Sequence, residues 1–226
     1  MVEQGLAGSV RERRRADTVL ELKSAALRQL TDAGPEGMSL RAVAREVGMS
    51  VQSIYHYFTS RDDLLTALLT DGHNELADAL AAARAAAGPD REAGLAALCR
   101  CYRSWAIAHP AQFRLIYGSP ISGYAASAGS TVAAAQRVGR LFSETIYGDG
   151  PAARSPEQMA RFVQSWSMLH GLTVLELANH LDWTGQPSEV LFEAAVRRLV
   201  SDAHDPSDPS DPSGPSGSSG PSGPSG

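Results

Sequence analysis

Side chains that can form hydrogen bonds are concentrated between residues 50 and 58, where the sequence reads SVQSIYHYF. If this segment is a helix, Val51 and Ile54 can pack it against a neighbouring helix. The remaining face then presents an amide, a hydroxyl, an imidazole and a phenol, from Gln52, Ser53, His56 and Tyr57. Such groups hydrogen-bond to base edges and to phosphate oxygens, so the segment predicts a surface that contacts nucleic acid. The alternative is an ordinary pair of core helices, although such a pair seldom carries so many polar and aromatic groups on one short helix.

The residues around this segment predict two short helices joined by a tight turn. Ser39 is suited to cap a helix over residues 40–47, whose apolar face is Leu40, Val43, Ala44 and Val47. Gly48 can adopt the positive φ that a tight turn needs, and Ser50 is suited to cap a second helix over residues 51–58. This layout favours DNA binding, with the second helix in the major groove.

The distribution of charge is compatible with a nucleic-acid partner for this part of the chain. The 226 residues carry a formal net charge of −5. Residues 1–61 contain nine basic and seven acidic side chains, residues 62–200 contain eleven and fourteen, and residues 201–226 contain none and four. Phosphates respond to charge within about 8 Å, so the local basic excess matters more than the negative total.

The chain before residue 204 reads as helical throughout, which predicts an all-α fold of about nine helices and no sheet. Apolar spacing, capping residues and punctuation by glycine and proline place the helices at residues 14–33, 40–47, 51–58, 61–88, 90–108, 111–117, 131–147, 156–181 and 187–203. Residues 204–226 contain only Pro, Ser, Gly, Asp and one His, a composition that predicts a disordered tail.

Composition also argues against several classes of protein. No apolar run approaches the roughly 20 residues of a membrane-spanning helix. No apolar segment follows the N-terminal arginines as in a secretory signal, so we expect a cytoplasmic protein. The two cysteines, Cys99 and Cys101, are interpreted as buried thiols. Catalytic motifs and paired metal-ligand spacings are missing, so we expect neither an enzyme nor a metal or cofactor site.

Ordered motifs from residue 34 onward resemble one protein family. Residues 34–50 fit G-x-x-x-x-S-L-x-x-V-A-x-x-V-G-M-S, residues 54–58 fit I-Y-x-Y-F, and residues 61–65 read R-D-D-L-L. The stretch therefore resembles the N-terminal DNA-binding domain of the tetracycline-repressor (TetR) family of bacterial regulators. Arg61 stands where the family usually has lysine, which keeps the positive charge.

The resemblance implies roles for individual residues. Phosphate contacts are implied for Ser39, Arg41, Tyr55, Tyr57 and Arg61, and base contacts for Val51, Gln52, Ser53 and His56. The chemistry agrees, since hydroxyl and guanidinium groups suit phosphate oxygens and glutamine can pair with an adenine edge. Tyr55 could instead pack inside the small domain. The arginines between residues 11 and 15 could reach the duplex as a flexible arm or form the solvated start of a helix.

The C-terminal part of the chain suggests dimerisation. The helix at 156–181 is apolar on two faces and so needs two partners. The last helix adds an apolar stripe of Phe192, Ala195, Val196, Leu199 and Val200. In the TetR family the last two long helices of each protomer form a four-helix bundle across a two-fold axis, which implies a homodimer with Val196 in the seam. Burial of both faces within one chain is the alternative.

The resemblance also implies a ligand pocket. Trp166, His170 and Gly171 fit a Trp-x-x-x-His-Gly element of one TetR subgroup. Because the C-terminal helices of the family enclose an inducer pocket, the lining candidates are Tyr102, Trp105, Phe113, Tyr117, Trp166 and His170. Any of them could be plain core.

The implied domains are a helix-turn-helix DNA-binding domain (1–60), a ligand-binding and dimerisation domain (61–203) and the tail (204–226). The implied function is a dimeric transcription regulator, a repressor that a small-molecule inducer releases from a palindromic DNA operator. The rival is a helical enzyme or binding protein that carries a helix-turn-helix-like pair.

Overall fold

Nine α-helices and one short 3-10 turn form the computed structural model, which describes residues 3–118, 121, 123–124, 130–148 and 154–203. The helices are α1 (Glu3–Gly37), α2 (Leu40–Glu46), α3 (Val51–Ile54), α4 (Arg61–Ala86), α5 (Arg91–Ala108), α6 (Pro110–Tyr117), α7 (Ser130–Tyr147), α8 (Pro156–Leu177) and α9 (Ser188–Ala203), and the 3-10 turn is Asp182–Thr184. The described residues contain no strand, and the all-α prediction is confirmed. The tail predicted at 204–226 lies outside the described residues.

Five of these helices begin at a capping side chain. The hydroxyls of Ser39, Ser50 and Ser60 each accept a hydrogen bond from the backbone N–H three residues later, at 3.2, 3.1 and 3.0 Å. Asp90 and Ser155 start α5 and α8 in the same way. These bonds satisfy N–H groups that the first turn of a helix leaves without partners, which is why the sequence predicted these helix starts closely.

The first and third helices differ from the prediction in their lengths. The helix predicted at 14–33 is α1, which begins at Glu3. The chain bends at Gly34, where φ is 70° and ψ is 178°. The helix predicted at 51–58 is regular only over Val51–Ile54, and a hydrogen-bonded turn continues it toward Phe58.

The end of α8 also differs, because the helix stops at Leu177 and not at 181. Asn179 adopts a left-handed φ of 55°. The backbone N–H of His180 then donates to the Leu175 carbonyl at 2.8 Å, which closes the helix with a Schellman motif. Asparagine tolerates this backbone better than most residues, so Ala178-Asn179 ends the helix although no glycine or proline follows directly.

Two apolar clusters are joined by α4. The N-terminal cluster is built from α1–α3, the first two turns of α4 and Leu115 of α6. The C-terminal cluster is built from α5–α9 and the part of α4 that begins at Leu76. Because α4 supplies Leu68 to the first cluster and Leu76 to the second, one continuous helix connects them.

The apolar stripe of α9 is buried within the chain itself. Phe192, Val196 and Leu199 are 2%, 2% and 4% exposed and belong to the C-terminal cluster. The expectation that Val196 lies in a seam between two chains is therefore wrong, since α9 packs on α5 and α8 of the same chain. None of the described helices combines the length and the apolarity that a membrane crossing requires.

Candidate nucleic-acid interface

Backbone hydrogen bonds fix the turn between α2 and α3. The Gly48 N–H donates to the Arg45 carbonyl at 3.2 Å, and the Met49 N–H donates to the Ala44 carbonyl at 2.8 Å. This Schellman ending needs a left-handed residue, and Gly48 supplies it with a φ of 69°. Ser50 caps α3 immediately afterwards, so the direction of α3 relative to α2 is set by a turn of very few residues.

The outer side of α3 and of the turn that follows it presents Val51, Gln52, Tyr55 and His56, all exposed. Residues four apart share a helix face, so the two pairs lie side by side. Val51 is 39% and Tyr55 is 47% exposed, so neither packs inside the domain, and the expected packing of Val51 against α2 is wrong. Ile54 is fully buried and holds the opposite side of the helix on the N-terminal cluster. This exposed row is named the reading face below.

Ser53 and Tyr57 lie at the margin of the reading face, and both side chains make contacts within the chain. The Ser53 and Ser50 hydroxyl oxygens are 2.7 Å apart, so the Ser53 hydroxyl takes part in the cap of α3. Tyr57 is partly buried against the N-terminal cluster. The Arg15 guanidinium lies over its ring, 5.1 Å from the centroid, which holds the ring by a cation–π contact.

The arginines between residues 11 and 15 belong to α1, so the helical alternative describes them and the flexible arm does not. Both terminal nitrogens of Arg15 donate to the His56 carbonyl, at 3.3 and 3.4 Å. Arg11, Arg13 and Arg14 are exposed on the same helix. The first helix therefore carries basic side chains to the end of the reading face, a contribution that the sequence left open.

The other residues assigned to phosphate contacts are held in different ways. Ser39 uses its hydroxyl oxygen as the cap of α2. Arg41 is exposed on the first turn of α2. Arg61 is oriented from two sides, because its Nε donates to the Met38 carbonyl at 3.1 Å and its guanidinium lies 3.5 Å from the Asp62 carboxylate.

In the C-terminal cluster, four of the six predicted pocket residues surround a fifth, Tyr102, which is fully buried. The ring centroid of Tyr102 lies 5.6 Å from that of Phe113, 6.0 Å from Tyr117, 5.2 Å from Trp166 and 6.5 Å from His170. The Tyr102 hydroxyl and the His170 Nδ1 form a hydrogen bond of 2.8 Å. These five residues are named the aromatic cluster below.

The sixth predicted pocket residue, Trp105, lies apart and stacks on His109, with ring centroids 4.9 Å apart. The aromatic cluster gains a member that sequence reasoning did not select. Phe142 of α7 lies 5.7 Å from Trp166, ring edge to ring face.

His73 of α4 is a second residue that sequence reasoning missed. Its ring meets Tyr117 edge-on at 5.6 Å, and its buried Nδ1 has no hydrogen-bond partner within the described chain. The spacing of four residues after Leu69 and three before Leu76 places it on the apolar face of α4, which is the signal that could have found it.

Burial sets the protonation of the polar groups in this region. It lowers the pKa of His73 and of His170, and it raises the pKa of the phenols of Tyr102 and Tyr117. All four side chains are therefore neutral near pH 7, so the region offers hydrogen bonds without net charge.

Two family models match the chain in order. The model for bacterial regulatory proteins of the tetR family matches residues 22–68, and the tetracyclin repressor-like C-terminal domain matches residues 95–199. A solved structure of the regulatory protein SCO4313 is 34% identical, with a TM-score of 0.74, and the match covers 84% of this chain and 98% of that one. The chain belongs to the TetR family. The first match contains α2, α3 and the whole reading face.

Two further similar proteins match this chain over different shares of their length. The HTH-type transcriptional regulator Rv1816 of Mycobacterium tuberculosis is 42% identical over 140 residues, which cover 61% of this chain and 60% of that protein. The match thus spans about three fifths of the length of that relative. A protein of unknown function from Rhodococcus sp. RHA1 is 28% identical with a TM-score of 0.67, covering 81% of this chain and 94% of that one.

Proposed function

We propose that this TetR-family protein is a dimeric, cytoplasmic repressor that binds a palindromic DNA operator and is released by a small molecule. The reading face carries the proposal for DNA. Its amide, phenol and imidazole groups are exposed on α3 and on the turn that follows it, and the start and direction of α3 are fixed by Ser50 and Gly48. A two-fold dimer would place two such helices in successive major grooves, about 34 Å apart.

The test for DNA binding begins with duplexes selected by the protein from a random pool. Gln52→Ala is expected to lose about 1–3 kcal/mol of discrimination at one base step of each half-site, because an amide can pair with one base edge. Tyr55→Phe is expected to weaken binding to all sequences alike, because a phosphate contact carries no sequence information. Both variants binding like the parent would show that α3 is not the reading helix.

The proposal of a dimer is supported by the outward side of α8. Met159, Val163 and Val174 are 48%, 51% and 41% exposed, although all three are large and apolar. Exposed apolar residues at helical spacing favour a partner helix over water. This side of α8 replaces the stripe of α9 as the expected seam.

Val163→Arg is expected to give a folded monomer with weak operator binding, because the seam would bury an unpaired charge. Val132→Arg is the matched control, since Val132 of α7 is 54% exposed and lies outside α8. Sedimentation of both variants checks the expectation. A dimer that survives Val163→Arg would show that the seam lies elsewhere.

The aromatic cluster is the proposed inducer site. Two of its members, Trp166 and His170, are together with Gly171 also the basis for placing the protein in the Trp-x-x-x-His-Gly subgroup. Pockets for small molecules are mainly apolar with a few polar groups, and here Tyr102 and His170 supply the polar groups. The helix α6 carries Phe113 and Tyr117 in this region and Leu115 in the N-terminal cluster. A ligand that displaces the aromatic side of α6 would therefore also disturb the packing beneath the DNA-binding helices.

Release needs a ligand that prefers the conformation with poor operator fit by about 1–3 kcal/mol, which lowers DNA affinity 5- to 150-fold. A screen for operator release, repeated with Trp166→Ala and His170→Ala, tests the site. Trp183→Ala is the control, because this tryptophan is 85% exposed outside the cluster. Hits that release all four proteins at the same concentration would remove the aromatic cluster from the proposal.

A further inference from the structure

The segment between α6 and α7 brings a second part of the C-terminal region onto the N-terminal cluster. Leu115 of α6 belongs to that cluster, and Ile121 and Tyr124, which follow α6, are partly buried against it. Tyr117, four residues before Ile121, packs instead in the C-terminal cluster as a member of the aromatic cluster. A short stretch of chain therefore contacts both clusters.

A turn positions Tyr124. Its backbone N–H donates to the Ile121 carbonyl at 3.1 Å, and Gly123 adopts a left-handed φ of 69°. A turn closed by such a bond favours glycine where the chain is left-handed, because a Cβ would crowd the backbone. The backbone of residues 121, 123 and 124 thus sets where the Tyr124 ring meets the N-terminal cluster.

The Tyr124 hydroxyl takes part in a hydrogen bond whose direction can be assigned. It lies 2.9 Å from the hydroxyl oxygen of Thr66 on α4, and the same Thr66 oxygen lies 2.7 Å from the Asp62 carbonyl. A carbonyl only accepts, so the single hydroxyl proton of the threonine goes to Asp62. Tyr124 is therefore the donor to Thr66, and both side chains are partly buried.

This bond acts at the start of α4. Thr66 lies in the second turn of that helix. Arg61, the first residue of the helix, donates its Nε to the Met38 carbonyl at 3.1 Å, directly before the Ser39 cap of α2. The first two turns of α4 are therefore tied both to the chain that enters α2 and to Tyr124.

The hydrogen bond adds direction to an apolar contact. Leu115 and Ile121 supply buried surface, but hydrophobic contact is non-directional and does not by itself fix an orientation. A hydrogen bond weakens steeply below an angle of about 120°, so the bond from Tyr124 to Thr66 restricts rotation of α4 relative to the end of α6. The same cluster buries Ile54 of α3, so the position of α4 also sets the position of the reading face.

A ligand at the aromatic cluster would act on this bond. The four residues from Tyr117 to Ile121 span at most about 14 Å, so the turn is joined to the end of α6 by a short tether. A ligand that displaces α6 would therefore also displace the turn. In the proposed function the operator is bound before this displacement, which assigns the intact bond to the DNA-binding state.

We propose that Tyr124 is a positioning residue for operator binding, which holds the start of α4, and with it α3, in the orientation that reads DNA. The inference rests on the proposed DNA binding and does not require Tyr124 to touch the duplex. Without the bond, a smaller fraction of the molecules has the DNA-binding orientation. The apparent dissociation constant then rises in inverse proportion to that fraction.

Operator binding by Tyr124→Phe tests the proposal, since this change removes the hydroxyl and keeps the partly buried ring. On duplexes that the parent selects from a random pool, the variant should bind about two- to tenfold more weakly, the range expected for one net hydrogen bond. A duplex with one changed base pair should lose affinity by the same factor, because a positioning residue carries no sequence information. Thr66→Val, which removes the acceptor, should have the same effect, and Thr66→Ser, which keeps it, should bind like the parent.

A double variant and a matched control separate positioning from stability. Tyr124→Phe/Thr66→Val should bind no more weakly than either single variant, since both changes remove one interaction. Tyr147→Phe is the control, because the Tyr147 hydroxyl donates to the Gln158 carbonyl at 2.8 Å within the C-terminal region. Thermal unfolding should show similar losses of stability in Tyr124→Phe and Tyr147→Phe, whereas Tyr147→Phe should keep the operator affinity of the parent.

Parent affinity or tighter binding in Tyr124→Phe would overturn the proposal, because the bond would then not hold the DNA-binding orientation. An equal loss of affinity in Tyr147→Phe, additive losses in the double variant or a changed base preference would do the same. If Gln52→Ala loses discrimination while Tyr124→Phe binds like the parent, the proposed function stands and this inference alone fails. A parent that selects no duplex would remove both.

Discussion

The two apolar clusters place their polar groups in opposite ways. The N-terminal cluster is filled by aliphatic side chains and Phe58, and its hydrogen-bonding residues point outward on the reading face. The C-terminal cluster buries Tyr102 completely and holds His170 and His73 beside it. The first region therefore presents its hydrogen-bonding groups to the outside, whereas the second holds them in its interior.

This difference has an energetic consequence. An aliphatic core depends on volume and shape, and it is insensitive to protonation. A core with buried hydroxyl and imidazole groups depends on hydrogen bonds whose loss leaves a partner unsatisfied. Changes that affect shape should therefore act most strongly in the first region, and changes that affect hydrogen bonds or pH should act most strongly in the second.

The largest effect should come from Ile54→Ala, which removes a fully buried side chain between the reading face and the N-terminal cluster. We expect a loss of about 2–5 kcal/mol in the free energy of unfolding of that region, and loss of operator binding. All three tryptophans, Trp105, Trp166 and Trp183, lie in the C-terminal part. Their near-ultraviolet circular dichroism should therefore persist at denaturant concentrations that unfold the N-terminal cluster.

Leu98→Ala is the matched change in the other region, since Leu98 is also fully buried. In this variant the near-ultraviolet circular dichroism of the tryptophans should be lost at lower denaturant concentrations than those that unfold the N-terminal cluster. A single coincident transition in both variants would show that α4 couples the clusters into one cooperative unit. The expectation that the two clusters unfold separately would then be wrong.

Two Tyr→Phe changes give the next largest contrast. Tyr102→Phe should lower the free energy of unfolding by about 1–3 kcal/mol, because the Nδ1 of the half-buried His170 loses its partner. Tyr55→Phe should change it by less than about 0.5 kcal/mol, because Tyr55 is exposed and the hydroxyl can be replaced by water. Urea unfolding measures both. Equal stability losses would contradict the view that only the second region depends on interior hydrogen bonds.

Acidification should act on the C-terminal cluster. Burial holds the pKa of His73 and His170 below the unfolded value of about 6.5, so below that pH the unfolded chain binds more protons than the folded one. The free energy of unfolding should be level above this pH and fall as the pH drops toward the folded pKa, by at most about 1.4 kcal/mol per pH unit for each histidine. Urea unfolding between pH 5 and 8, repeated with His73→Gln, should show a shallower slope in the variant.

The smallest effect is expected from Arg15→Gln. Its guanidinium holds Tyr57 and the His56 carbonyl from an exposed position, so its removal should cost about 0.5–1 kcal/mol of stability. Operator affinity should fall as well, because the end of the reading face loses its support. Arg11→Gln, at an exposed position on the same helix, is the charge-matched control. An identical response of the two variants would mean that charge alone, and not the contact with Tyr57, matters.

Local signals allowed much of the fold to be predicted, and non-local packing limited the rest. Ser39, Ser50, Ser60, Asp90 and Ser155 mark helix starts because a cap needs only the backbone three residues away. The end of α8 depends on whether Asn179 adopts a left-handed conformation, which the residue type permits but does not require.

The same limit applies to the sites. Gln52 and His56 of the reading face could be predicted because they lie four residues apart on one helix, whereas Val51 was expected to pack inward and is exposed. Whether Val196 faces its own chain or a second one is decided by the placement of α5 and α8, and two apolar faces in the sequence look alike. His73 was missed because its partner Tyr117 lies on α6, about forty residues away along the chain.

A single unbroken α4 shared by both clusters turns small rotations into large displacements. With a length of about 39 Å, a tilt of about 5° about its C-terminal end moves its N-terminal end by about 3 Å. The ion pair between Lys23 and Asp71, 2.6 Å long, ties α1 to this helix, so the DNA-binding helices would travel with it. Hydrogen bonds to a base tolerate only a few tenths of an ångström. A tilt of a few degrees in α4 would therefore displace the DNA-binding helices by more than a hydrogen bond to a base can tolerate.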